Sequence, residues 1–120
     1  MGITGEAKLL RIFIGETDKI GSETVYEKIV LEARKAGLAG ATVYRGIMGF
    51  GRNSIIHTAK VLRLSEDLPL VIEIVDEEKK IADFVPVVES IFEEADAGGL
   101  VTMEKAEIIK YSSNHKTEQS

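Results

Sequence analysis

The stretch Gly40-Ala41-Thr42-Val43-Tyr44-Arg45-Gly46-Ile47-Met48-Gly49-Phe50-Gly51-Arg52 sets a hydroxyl, repeated glycines and two arginines along a β-prone segment that runs into a loop. Glycine lets backbone amides approach a phosphate closely, and arginine adds a planar fork of donors. The chemistry on offer is binding of a small anion; the same glycines also serve ordinary turns. His57, in Ser54-Ile55-Ile56-His57-Thr58, can titrate, contact a phosphate or ligate a metal. The only other histidine is His115, in a polar tail, so a metal site within one chain is not expected, although an oligomer could gather several copies of His57. Glu16 and Asp18 form a carboxylate pair that could do acid-base work, but such pairs more often cap a helix or face solvent. No nucleophile elbow, Walker loop, Ser-His-Asp set or dinucleotide fingerprint is present, so the chain is not expected to be an enzyme.

Charge supports a local anion site on an acidic protein. The net charge is −5, yet Ala33 to Ser65 contains no acidic residue while holding Arg34, Lys35, Arg45, Arg52, Lys60 and Arg63. From Glu66 to Glu107 the balance reverses. The overall field would repel a nucleic-acid backbone, and the aromatic-rich strand signature of RNA-binding modules is missing, so no nucleic-acid partner is expected. With no cysteine among 120 residues, disulfides, thiolate metal sites and thiol catalysis are excluded. No apolar run approaches the roughly 20 residues of a membrane span. Met1 to Lys8 lacks the pattern of a secretory signal, which leads to the expectation of a cytoplasmic protein.

The elements that must position these residues follow from periodicity. Ala7 to Gly15 alternates Leu10, Ile12 and Ile14 with Arg11 and Phe13, as a strand with one apolar face does. Thr24-Val25-Tyr26-Glu27 matches a capping box, and Tyr26, Ile29, Val30 and Ala33 stripe a helix over about Val25 to Ala36, closed by Gly37. Ala41 to Ile47 supplies a second strand. Leu70 to Val75 supplies a third, with Glu73 as the lone polar position of a central or near-central strand. Asp76 is placed to cap a second helix in which Ile81, Phe84, Val85, Val88, Ile91 and Phe92 recur at three- and four-residue steps. Pro86 predicts a kink there, and Gly98-Gly99 its end. Leu100 to Ile109 reads as a last strand, with a break near Glu104. Between Ile55 and Leu64 the apolar residues fit both helix and strand periods.

The expected fold is therefore α+β and ferredoxin-like, βαββαβ, a four-stranded antiparallel sheet with two helices on one face. Residues 1–111 form one domain, carrying a long flexible loop at about 49–66, and 112–120 form a disordered polar tail. The uncovered sheet face is partly apolar and predicts self-association.

Several segments also resemble a known family. Gly40-Ala41-Thr42-Val43 with Gly49-Phe50-Gly51-Arg52 resembles the entry to the T-loop of PII nitrogen-regulatory signalling proteins, and Ile72-Glu73-Ile74-Val75 their third strand. The IGE after the first strand, AGLAGATVYRGIMGFG, RNSIIHTAK and LRLSEDLPLVIEIVDEE together are similar to the PII-like domain-of-unknown-function family 190, over about Leu9 to Ile109. The resemblance implies a homotrimer with small ligands, often adenine nucleotides, in clefts between subunits, and a loop that reports occupancy to a target protein. Carried over residue by residue, it implies ligand contacts at Thr42, Gly49, Phe50, Gly51 and Arg52, with Arg45 and His57 as additional contacts and no metal. Two departures separate the chain from the ATP-binding pattern of PII proteins: the second glycine loop is reduced to Ala97-Gly98-Gly99, and no paired arginines follow the last strand. No tyrosine lies between Arg52 and Arg63 to match the one modified in some PII loops. The expected function is thus PII-like signalling. The alternative is an interaction module that binds no small molecule and docks on a membrane transporter or another protein through Ile55, Ile56, Val61, Leu62 and Leu64.

Overall fold

A computed structural model describes residues 5–49, 57–58 and 68–112. Among these residues there are eight strands and two helices. They are β1 Gly5–Gly15, β2 Lys19–Ile20, β3 Glu23–Thr24, α1 Val25–Lys35, β4 Thr42–Arg45, β5 Met48–Gly49, β6 His57–Thr58, β7 Pro69–Asp76, α2 Glu78–Ala95 and β8 Leu100–Ile108. Four strands form one antiparallel sheet in the order β4-β7-β1-β8, with β2–β3 and β5–β6 as two small ribbons. Each helix joins two strands that have a third between them, which is the ferredoxin-like arrangement expected from the sequence.

Alternation along the strands builds the core. Leu10, Ile12 and Ile14 of β1 and Leu70, Ile72 and Ile74 of β7 face the helices and are buried against Val25, Ile29 and Ala33 of α1 and Ile81, Phe84, Val88 and Ile91 of α2. Each of these side chains larger than alanine contributes about 1.5–3 kcal/mol, which is how a chain without disulfides holds one core. Thr24 caps α1: its Oγ1 accepts from the Glu27 amide at 3.4 Å and donates to the Glu27 carboxylate at 2.6 Å.

Several expectations need correction. Asp76 does not cap α2. Glu77 holds that position without a side-chain cap bond, while Asp76, fully buried one residue earlier, accepts from the Glu77 amide at 2.7 Å and the Ala39 amide at 2.8 Å. Helix α2 continues on both sides of Pro86, where Pro86 and Ala82, whose carbonyl loses its partner, are both exposed to water. The left-handed residue at its end is Asp96 (φ 51°), ahead of Gly98-Gly99. Strand β8 has no break at Glu104, which pairs with Leu9. Apart from the β5–β6 pairing at its base, the loop expected at about 49–66 lies outside the described residues. So do the five apolar loop positions of the docking alternative and the tail from 113.

Candidate functional site

On the sheet face away from the helices, the register sets Thr42, Glu73, Arg11 and Thr102 in one row across all four strands. Arg11 bridges two carboxylates: Nε donates to Glu73 Oε2 at 2.8 Å and Nη1 to Glu104 Oε1 at 2.6 Å. The Tyr44 hydroxyl donates to the same Glu73 oxygen at 2.8 Å. The Arg11 hydrogen bond, followed by that of Tyr44, lowers the Glu73 pKa. The Tyr44 pKa is raised in return, chiefly because its proton is held by Glu73. Glu73 is the lone polar residue of the run Leu70 to Val75 in the central strand β7, a visible sequence signal; its partners come from register alone.

Beside this row a cleft of about 650 Å³ opens at one end of the sheet. Its first wall is Ala39-Gly40-Ala41-Thr42, its floor Glu73 and Val75, and its second wall Glu107 to Tyr111. The two walls belong to opposite sheet edges. They meet because the chain leaves β8 where Ile108 pairs with Gly5, crosses the end of the sheet, and ends with the Tyr111 hydroxyl donating to the Ala39 carbonyl at 3.0 Å. Nothing in the sequence pattern marks Glu107 to Tyr111 as part of a site.

The candidate ligand residues are divided by this geometry. Thr42, exposed on the uncovered face, lines the cleft. Arg45, three residues on, alternates to the other face and pairs with Glu16 near the opposite end of β4, a separation along the strand of about 10 Å. There the Gly46 amide donates to the Pro69 carbonyl at 2.7 Å, and a Cβ on Gly46 would lie 3.1 Å from the Pro69 ring. Gly49 pairs with His57 where the loop leaves the domain. Phe50, Gly51 and Arg52 lie outside the described residues. Of the carboxylate pair, Glu16 is engaged by Arg45, and Asp18 accepts from the Gly15 amide at 2.9 Å, as turn chemistry would have it. Among the described residues no group of three or more His, Cys, Asp or Glu could hold a metal ion, and no helix is long and apolar enough to cross a membrane.

The model of domain-of-unknown-function family DUF190, described as Uncharacterized ACR, matches residues 7–108. The chain belongs to the DUF190 family. A UPF0166 protein of Aquifex aeolicus (strain VF5) is 38% identical to it over 102 residues, 85% of this chain and 92% of the relative. A UPF0166 protein of Methanocaldococcus jannaschii is 34% identical over 105 residues, 88% and 94% of the two chains. Among solved structures this DUF190 chain is similar to CPII from Thiomonas intermedia K12, a nitrogen regulatory PII-like protein bound to ADP, AMP and bicarbonate. The TM-score is 0.67 at 17% identity, over 90% of this chain and 91% of that one. The apo form of CPII matches with a TM-score of 0.62 at 15% identity, covering 93% of this chain and 100% of that one. At such identities the likeness is one of fold, and it makes the DUF190 domain PII-like in architecture.

Proposed function

We propose that this DUF190 protein is a PII-like regulator: a homotrimer that binds a small anionic metabolite, with an adenine nucleotide as the leading class, in clefts between subunits. It signals occupancy through the loop after β5. The observation that carries this reading is the cleft between Ala39–Thr42 and Glu107–Tyr111. Its volume suits a small ligand, and its apolar walls have a few convergent polar groups, as binding sites do. The architecture shared with CPII, whose structures hold ADP and AMP, supports the choice of nucleotide.

A second copy of the chain completes the site. Thr42 and the loop base lie toward opposite ends of β4, with Thr42 and Arg45 on opposite faces, so one small ligand meets both sets most readily when one subunit supplies the cleft and the next supplies Arg45, Gly49, Phe50, Gly51 and Arg52. His57 sits beside that base. The uncovered sheet face supplies the means of association, since Leu9, Phe13 and Val71 are only half-buried there and Tyr44, Val75 and Leu100 are exposed. A membrane transporter or another protein is the target class proposed for the loop, in a cytoplasmic setting. Thr42→Val keeps the shape of the side chain and removes the hydroxyl. It should weaken ADP binding about three- to tenfold in calorimetric titration without altering the assembly mass, the loss of one hydrogen bond to a ligand. Unchanged affinity would remove the cleft from the site.

A further inference from the structure

The two walls of the cleft differ in how firmly they are held. Ala39 is tied through its amide to the fully buried Asp76 at 2.8 Å, and Thr42 belongs to the sheet. The opposite wall, Ile109 to Tyr111, has left the sheet. It is fastened across the gap by the Tyr111–Ala39 bond alone among its described hydrogen bonds, with Ile109 82% and Tyr111 41% exposed. A short segment with large apolar side chains in water and few buried contacts opens at low cost. The polar groups that line it are the backbone of Ala39 to Ala41, the Thr42 hydroxyl, Lys110, Glu107 and, on the floor, Glu73, which Arg11 and Tyr44 already engage. Val75, Ile108, Ile109 and Tyr111, with Ala39 and Ala41, supply its apolar lining. With one cation against two carboxylates, the cleft suits a flat, uncharged ring with a polar edge better than it suits a phosphate chain.

We propose that Ile109–Tyr111 is a clamp for the planar heterocycle of the ligand: the Tyr111 ring stacks on it, and the phenol bond to Ala39 latches the clamp in its closed position. This rests on the nucleotide reading above and names the side chain that holds the base. Phosphates then lie outside the cleft, toward the neighbouring subunit's loop base.

The test is titration of the full chain with ADP. Tyr111→Ala should weaken ADP about tenfold or more, within the range of losing one base–aromatic stack, with unchanged circular dichroism. Tyr111→Phe keeps the ring and loses the latch; its affinity should stay within about threefold, with dissociation several-fold faster. Since the chain has no tryptophan, Tyr111→Trp adds a single indole at the clamp whose emission ADP should change, a readout independent of the stability of the alanine variant. Wild-type affinity in Tyr111→Ala, or indole emission unaltered at saturating ADP, overturns the clamp and leaves the nucleotide reading standing. No ADP binding by well-folded wild-type protein overturns that reading, and the clamp with it.

Discussion

Glu73 shows how one residue on a central strand can organise a whole sheet face. Arg11 from β1 and Tyr44 from β4 meet on its carboxylate, and Arg11 reaches on to Glu104 of β8, so the network ties all four strands together. Because the folded-state pKa of Glu73 is depressed, the stability it contributes is fully present above its ordinary value of 4.5 and is lost as the pH falls through the lower folded-state value. Glu73→Gln removes that dependence. The gap in urea midpoint between wild type and Glu73→Gln should be widest near neutrality and shrink toward pH 3; a gap of constant size would show that the carboxylate charge does not matter. The residue stands out in the sequence as the one polar position in LVIEIV. Its partners do not, because a one-residue slip in register would send Arg11 to the other face. Asp76 failed as a helix cap for a related reason: position suggested the cap, while burial and the Ala39 amide, distant in sequence, decided its role.

At the scale of the elements, period alone was sufficient for β1, β7 and both helices, each of which has an apolar stripe, whereas β4 and β8 are exposed along most of their length and show none. Where chain segments meet at a distance it was not. The crossing of Glu107–Tyr111 to Ala39 is a tertiary event with no local signature, and the left-handed helix end fell on Asp96 in spite of two nearby glycines. Those glycines divide by packing. A Cβ on Gly99 would sit 2.7 Å from the Phe92 ring and 2.8 Å from the Phe13 carbonyl, whereas one on Gly98 meets nothing within 4 Å. Gly99 is thus a close-approach residue between α2, β1 and the start of β8, which accounts for it without a phosphate. Gly99→Ala should destabilise by about 1–3 kcal/mol, since the Phe13 backbone cannot yield cheaply. Gly98→Ala should stay within about 0.5 kcal/mol of wild type in the same chemical denaturation series. Equal effects would contradict this division.

For the molecule as a whole, the cleft and the base of the loop lie at opposite ends of one short strand, and the sheet face between them is half apolar and uncovered. The proposed assembly would answer both features at once, by covering the face and bringing one subunit's loop base to the next subunit's cleft. The arginine expected to meet the phosphates, Arg52, belongs to the loop, and a charge-assisted contact of that kind is worth about 1.5–3 kcal/mol. The most direct test is calorimetric titration of the purified protein with ADP, with its mass in solution recorded by light scattering and both repeated on Arg52→Ala. The expected result is a trimer that takes up one ADP per subunit and loses about tenfold or more in affinity in Arg52→Ala, with its mass unchanged. A well-folded trimer that takes up no ADP would contradict a nucleotide-sensing role and leave the loop as a surface for docking on another protein.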